Sequence, residues 1–126
     1  MQIQLRNDLP FISATICFQG KEILISNVLI DTGSAASMFS ADLMQKIGIQ
    51  PEANDILHII RGVGGTEVVY LRRVDFVKVN SRRFKDFEIE VGGMDYGFGI
   101  EGILGMDYLV PSGAIINLDS LQLEFA

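Results

Sequence analysis

Apolar residues in this chain recur mainly at every second position, and glycine supplies most of the punctuation. Phe11, Ser13, Thr15 and Cys17 alternate with Ile12, Ala14, Ile16 and Phe18, which predicts a strand. Gln19-Gly20 then predicts a tight hairpin turn into a second strand over residues 21–26. Val28-Leu29-Ile30 is continuously apolar, as a strand buried on both faces would be, and it stops at Asp31-Thr32-Gly33-Ser34. Ser40 predicts the N-cap of a helix over 41–47, with Gly48 as its C′ residue and Pro51 just beyond. A hairpin follows, with arms at 56–60 and 66–71 and the tip Arg61-Gly62-Val63-Gly64-Gly65. Further strands are expected at 74–79 and 84–91 across Asn80-Ser81-Arg82-Arg83, and a loop over 94–101. Gly102-Ile103-Leu104-Gly105 reads as a strand and 106–110 as one helical turn stopped by Pro111. A last hairpin joins 114–118 to 121–125 across Asp119-Ser120. The pattern is that of a mostly-β single domain over residues 1–126, with one main helix and no repeat or linker.

Composition narrows what such a domain can do. The 126 residues are 48% hydrophobic, yet no apolar run reaches the ~18 residues of a membrane span. The surplus of apolar residues is therefore expected in a core or an interface. Sixteen acidic against ten basic residues give a net charge of −6, the wrong sign for a nucleic-acid partner. One Cys and one His are too few for a zinc site, and a lone Cys17 excludes an intrachain disulfide. No basic stretch followed by an apolar run marks an export signal, so a cytoplasmic location is expected.

Asp31-Thr32-Gly33-Ser34 is the first candidate for chemistry. A carboxylate at the end of a buried strand is held by a rigid sheet, Thr32 can hydrogen-bond backbone or a second copy, and Gly33 admits another chain closely. Two carboxylates brought within ~3 Å share one proton and can activate a water between them. By itself the tetrapeptide also fits a capped turn after a strand.

Three segments occur in order: Leu29-Ile30-Asp31-Thr32-Gly33-Ser34, the glycine-rich tip 62–65, and Gly102-Ile103-Leu104-Gly105-Met106-Asp107-Tyr108-Leu109. Together they resemble the retropepsin-like aspartic proteases, over roughly residues 10–125. The resemblance implies a closed, barrel-like β domain with one main helix, a flap hairpin and a short C-terminal helical turn. It implies Asp31 as the catalytic carboxylate, Thr32 as the residue that locks two active-site loops together, and Gly33 as a backbone contact to substrate. Ser34, Ala35 and Ile103 would line the substrate groove, and Gly62, Val63, Gly64 and Gly65 would belong to the flap. With a single Asp-Thr-Gly, the second carboxylate would come from another copy, so the implied enzyme is a homodimeric endopeptidase acting on peptides or proteins without metal or organic cofactor. Ser34-Ala35-Ala36 and Met106 stand where the retroviral branch carries acidic residues and an arginine, which points to a cellular or bacterial type with more apolar pockets. Met1 fits a chain made as a separate protein.

Two other functions fit parts of the sequence. One is a peptide-binding or scaffolding module of the same fold without efficient turnover. The other is a nucleotide phosphotransferase using Asp31-Thr32-Gly33-Ser34 as a phosphate hairpin, but 126 residues cannot supply the two large lobes that reaction needs. Elsewhere the expectations are plain. His58 reads as a surface or hydrogen-bonded residue, and Arg72-Arg73 and Arg82-Arg83 as solvated positions. Cys17 reads as a small apolar core residue, and Met38, Met44, Met94 and Met106 as core filler or, second, as lining of an adaptable peptide groove. Asp107 reads as a brace for the short helix. Residues 121–125 could pair across a dimer or form an edge strand of the chain's own sheet.

Overall fold

The structure, a computed structural model, describes residues 1–62, 65–94 and 99–126, with only the backbone of Arg61, Gly62 and Gly65. The expected flap residues Val63 and Gly64, and the middle of the expected loop 94–101, lie outside the described residues. Along the chain run β1 (Gln4–Arg6), β2 (Leu9–Phe18), β3 (Lys21–Ile30), β4 (Met38–Ser40), α1 (Ala41–Gln45), β5 (Leu57–Gly62) and β6 (Gly65–Val79). They are followed by β7 (Arg82–Gly92), β8 (Gly102–Leu104), α2 (Met106–Leu109), β9 (Ala114–Asn117) and β10 (Gln122–Phe125). The expected mostly-β fold is the one observed.

The sheet closes on itself. Strands β2, β3, β8, β4, β7 and β6 are neighbours in that order, and β6 returns to pair with β2 at Thr15–Cys17. The ring is a barrel of six strands, with β1 added beside the start of β2 and β5 beside β6. Closure removes the exposed edges that a greasy open sheet would present. Two of its pairings, β3 with β8 and β4 with β7, are parallel.

Local chemistry explains the turns. Gln19 and Gly20 both have positive φ (50° and 81°), the geometry of a two-residue hairpin turn, and their N–H groups donate to the Asp75 carboxylate. Gly48, at φ 90°, ends α1 as expected, but the helix proper stops at Gln45, two residues before the predicted end. Ser40 occupies the N-cap position without making a side-chain cap bond. The runs expected as separate strands at 66–71 and 74–79 are one strand, β6, whose first half forms a flap arm and whose second half is barrel wall. Likewise β3 unites 21–26 with 28–30. Strands β1 and β4 have three residues each, too few for alternation to register.

The core fills the barrel with Ile16, Ile25, Val28, Phe39, Val77, Ile89 and Leu104. Tyr108 of α2 is fully buried among Phe84, Phe87 and these residues. Its hydroxyl accepts from the Val79 N–H at 3.1 Å and donates to the Arg82 carbonyl at 2.6 Å, tying α2 to the β6–β7 turn. Burial pushes the Tyr108 phenol up to about 12, so it stays a donor throughout the physiological range. Tyr108→Phe strands the Val79 N–H and should cost about 1–3 kcal/mol, seen as a lower denaturation midpoint at unchanged m value.

One sequence expectation needs correction. Arg72 is not solvated: it pairs with Asp55 at 2.5 Å and lies over the Tyr70 ring, clamping the segment before β5. Arg73 and Arg83 are exposed as expected, Arg83 over the Phe76 ring at 4.2 Å, and Arg82 donates to the Ala126 carbonyl. Strand β10 takes the second of its two expected places, in a two-stranded sheet of its own chain. It pairs with β9 on one side, and on the other it exchanges backbone bonds with Met1 and Ile3. On that second side the bonds reach Leu121 and Leu123. Among the described residues, no helix is long and apolar enough to cross a membrane.

Candidate active site

Strand β3 delivers Asp31 to the surface. Its last residues, Val28, Leu29 and Ile30, pair with Gly102, Ile103 and Leu104 of β8, and the Asp31 N–H continues that ladder to the Leu104 carbonyl at 3.0 Å. The buried apolar run seen in the sequence therefore fixes the carboxylate's root. Beyond it the chain turns. The Gly33 N–H donates to Asp31 Oδ1 at 2.9 Å, and the Ser34 N–H to the Asp31 carbonyl at 3.2 Å. One carboxylate oxygen is thus oriented, and Thr32 and Gly33 stand exposed beside it.

A polar brace supports this loop from below. Ser37 is fully buried and donates its hydroxyl to Asp107 Oδ1 at 2.7 Å and its N–H to Asp107 Oδ2 at 3.1 Å. The same hydroxyl accepts from the Gly105 N–H at 3.0 Å. Met106 and Asp107 donate their N–H groups to the Ser34 and Ala35 carbonyls. Asp107 thus does more than brace its own helix: it holds α2 against the active-site loop. Nothing in the sequence marked Ser37, because its role depends on a residue seventy positions away.

The Gly105 position is set by contact. A Cβ there would lie 2.5 Å from the Ala36 carbonyl oxygen and 2.8 Å from that of Ser34. At Gly102 it would lie 2.7 Å from the Phe39 ring. The apolar pair between these glycines is thus framed by two sites where the backbone passes other atoms too closely for a side chain.

Asp31 opens into a groove of about 770 Å³, within the usual span of ligand sites. Its walls include Gly33, Ser34, Ala35 and Ile103, four of the residues expected there. Thr32 is not among the lining residues but projects to solvent next to them. Gly62 and Gly65 pair with each other across the β5–β6 hairpin. The groove also takes in Met38 below, and residues that sequence reasoning did not assign to it: Ala36; Leu57, His58, Ile59 and Ile60 from β5; and Glu90 from β7. Strand pairing puts them there. Met38 lies opposite both Ile103 and Glu90, so β8, β4 and β7 make a continuous floor. Met44 and Met94 are core, Met38 is buried against the groove as the second of its two expected places, and Met106 is 37% exposed.

Burial raises the pKa of the Glu90 carboxyl, with His58 acting in the opposite direction and Asp107 adding to the rise. The arrangement offers an oriented carboxylate, apolar walls and a hairpin arm alongside, which suits an extended chain laid across the floor.

Comparison with protein-family models gives one match, to the aspartyl protease family, over residues 13–108. That span runs from β2 through α2 and includes Asp31, the β5–β6 hairpin and the whole groove floor. No curated protein matches the chain.

Proposed function

The chain belongs to the aspartyl protease family, and from that premise we propose that it is an aspartic endopeptidase that works as a homodimer, residues 1–126 forming one protease domain per copy. The observation that carries this reading is Asp31 itself: anchored by the β3–β8 ladder, oriented by the Gly33 N–H, and open to the groove. A single chain offers one such carboxylate. A second copy would supply the other, with both reaching one water from opposite sides of a twofold axis.

Two carboxylates at that separation share a proton, so one is ionised and one is protonated. The ionised carboxylate takes a proton from the water as its oxygen attacks the scissile carbonyl carbon, while the protonated one gives its proton to the carbonyl oxygen. Collapse of the tetrahedral intermediate sends a proton to the departing nitrogen and breaks the C–N bond. Ser34, Ala35 and Ile103 would contact the substrate, and the β5–β6 hairpin, with Gly62, Val63, Gly64 and Gly65 at its tip, would fold over it and exclude water.

The surface around the loop supports dimerisation there. Thr32 and Gly33 are exposed, as are the apolar side chains of Met106 (37%), whose N–H bonds to the loop at Ser34, and Val110 (64%) at the C-cap of α2. With β10 paired on both sides, the interface would be built on the active-site loop and α2, not on strand exchange at β10. Activity per chain is therefore expected to rise with protein concentration and to level off as the sedimentation mass reaches two chains. A one-chain mass at full activity would overturn the dimer.

A further inference from the structure

The groove floor is apolar except at one place. The outward positions of its strands form a cross-strand row: Ile103 opposite Met38, Met38 opposite Glu90, and Glu90 opposite Leu71. Its flanking residues in β7, Ile89 and Val91, point into the core, so alternation alone turns Glu90 outward. Strand spacing of ~4.8 Å puts Glu90 about 10 Å along the floor from Ile103, in reach of a substrate side chain near the scissile bond. Among the side chains the structure describes, its carboxylate has no hydrogen-bond or ion-pair partner, and no Lys or Arg of that set lines the groove.

A half-buried carboxylate without a cation on an apolar floor is costly unless a ligand supplies the countercharge. Resting on the peptidase reading above, we propose that Glu90 is a specificity determinant of the groove, selecting substrates that place a lysine or arginine side chain on it. The aliphatic stem of such a side chain would lie along Met38 and Ile103, and its charged head would meet Glu90. Burial weakens the competition from water, so the pair discriminates more than a surface pair would. The charged groups facing Glu90 are His58 on β5, which attracts it when protonated, Asp107 on α2, which repels it, and Asp31 elsewhere on the lining. The last two add to the negative potential.

The test uses one peptide frame with a single position varied among Lys, Arg, Gln, Leu and Glu, scanned across the positions near the cleaved bond. It is read both as kcat/KM and as binding affinity in the Asp31→Asn background. At one position the intact protein should prefer Lys or Arg over Gln by at least about tenfold. Glu90→Gln should collapse that ratio, and Glu90→Lys should reverse it in favour of Glu. An acetyl-lysine peptide tested on the unmodified protein gives the same readout without any protein variant: acetylation should remove the preference. Equal handling of Lys, acetyl-lysine and Gln at every position overturns the proposal, as does a Lys preference that survives Glu90→Gln. If no peptide is cleaved but binding keeps a Glu90-dependent basic preference, the peptidase reading fails and this inference stands.

Discussion

Asp31→Asn is expected to leave a folded protein with no detectable peptide cleavage. Asparagine has nearly the shape of aspartate and keeps an oxygen that can accept from the Gly33 N–H, so the turn and the β3–β8 ladder should survive. What it loses is the acid–base pair. Neither copy could then take the proton of the attacking water or return one to the carbonyl oxygen. Proton transfer of this kind contributes ~10²–10⁴-fold, and losing both carboxylates of a site whose nucleophile is water should exceed the upper end. The measurement is cleavage of a diverse peptide library from acid to neutral pH, with melting temperature and sedimentation mass matched to the parent. Full activity in the variant would remove Asp31 from the mechanism. A parent protein that binds library peptides and cuts none would instead identify a peptide-binding module. In an active parent, a bell-shaped pH profile is expected, its two limits belonging to the carboxylate pair and not to either residue.

Gly105→Ala should be damaging for an unrelated reason. Gly105 has φ −96°, a conformation open to any residue, so the backbone itself does not demand glycine. The demand comes from the neighbours, because the new methyl would meet the Ala36 carbonyl at 2.5 Å and that of Ser34 at 2.8 Å. Both are backbone atoms of the active-site loop and cannot swing aside as a side chain would. Either β8 or the loop must move, at a cost of about 1–3 kcal/mol or more. The Gly105 N–H bond to Ser37 and the Asp107 bonds beneath it would be strained together. Displacing a catalytic group by ~1 Å can cost ~10²-fold in rate, so activity should fall further than stability. Thermal melting and kcat/KM on one preparation separate the two effects. Parent-like values for both would mean that the loop is not held as described.

The two expectations differ in how readily the sequence disclosed them. Asp31 was legible because its signal is local: an apolar run long enough to be a buried strand, a carboxylate at its end, and glycine two residues on. The hairpins were legible for the same reason, since Gln19-Gly20 and Asn80-Ser81 mark turns wherever they occur between alternating runs. The helix end at Gly48 belongs with them. Ser37, Glu90 and Arg72 were not legible. Ser37 reads as one more polar residue after the motif until β8 and α2 bring Gly105 and Asp107 to it. Arg72 looks solvated until Asp55, seventeen residues earlier, closes on it.

By itself, then, the sequence determined the strand-rich class, the turns and the single Asp-Thr-Gly. These are written in neighbouring residues, through period-two alternation and turn chemistry, and depend little on the rest of the chain. The tertiary structure alone decided that β6 returns to β2 and closes the barrel, that β10 is paired on both edges, and that Glu90 faces the same groove as Asp31. Each of these is a matter of strand register between distant segments. Register is set by which faces can be buried together in one core, and a one-residue slip would have turned Glu90 inward and left the groove floor without its charge.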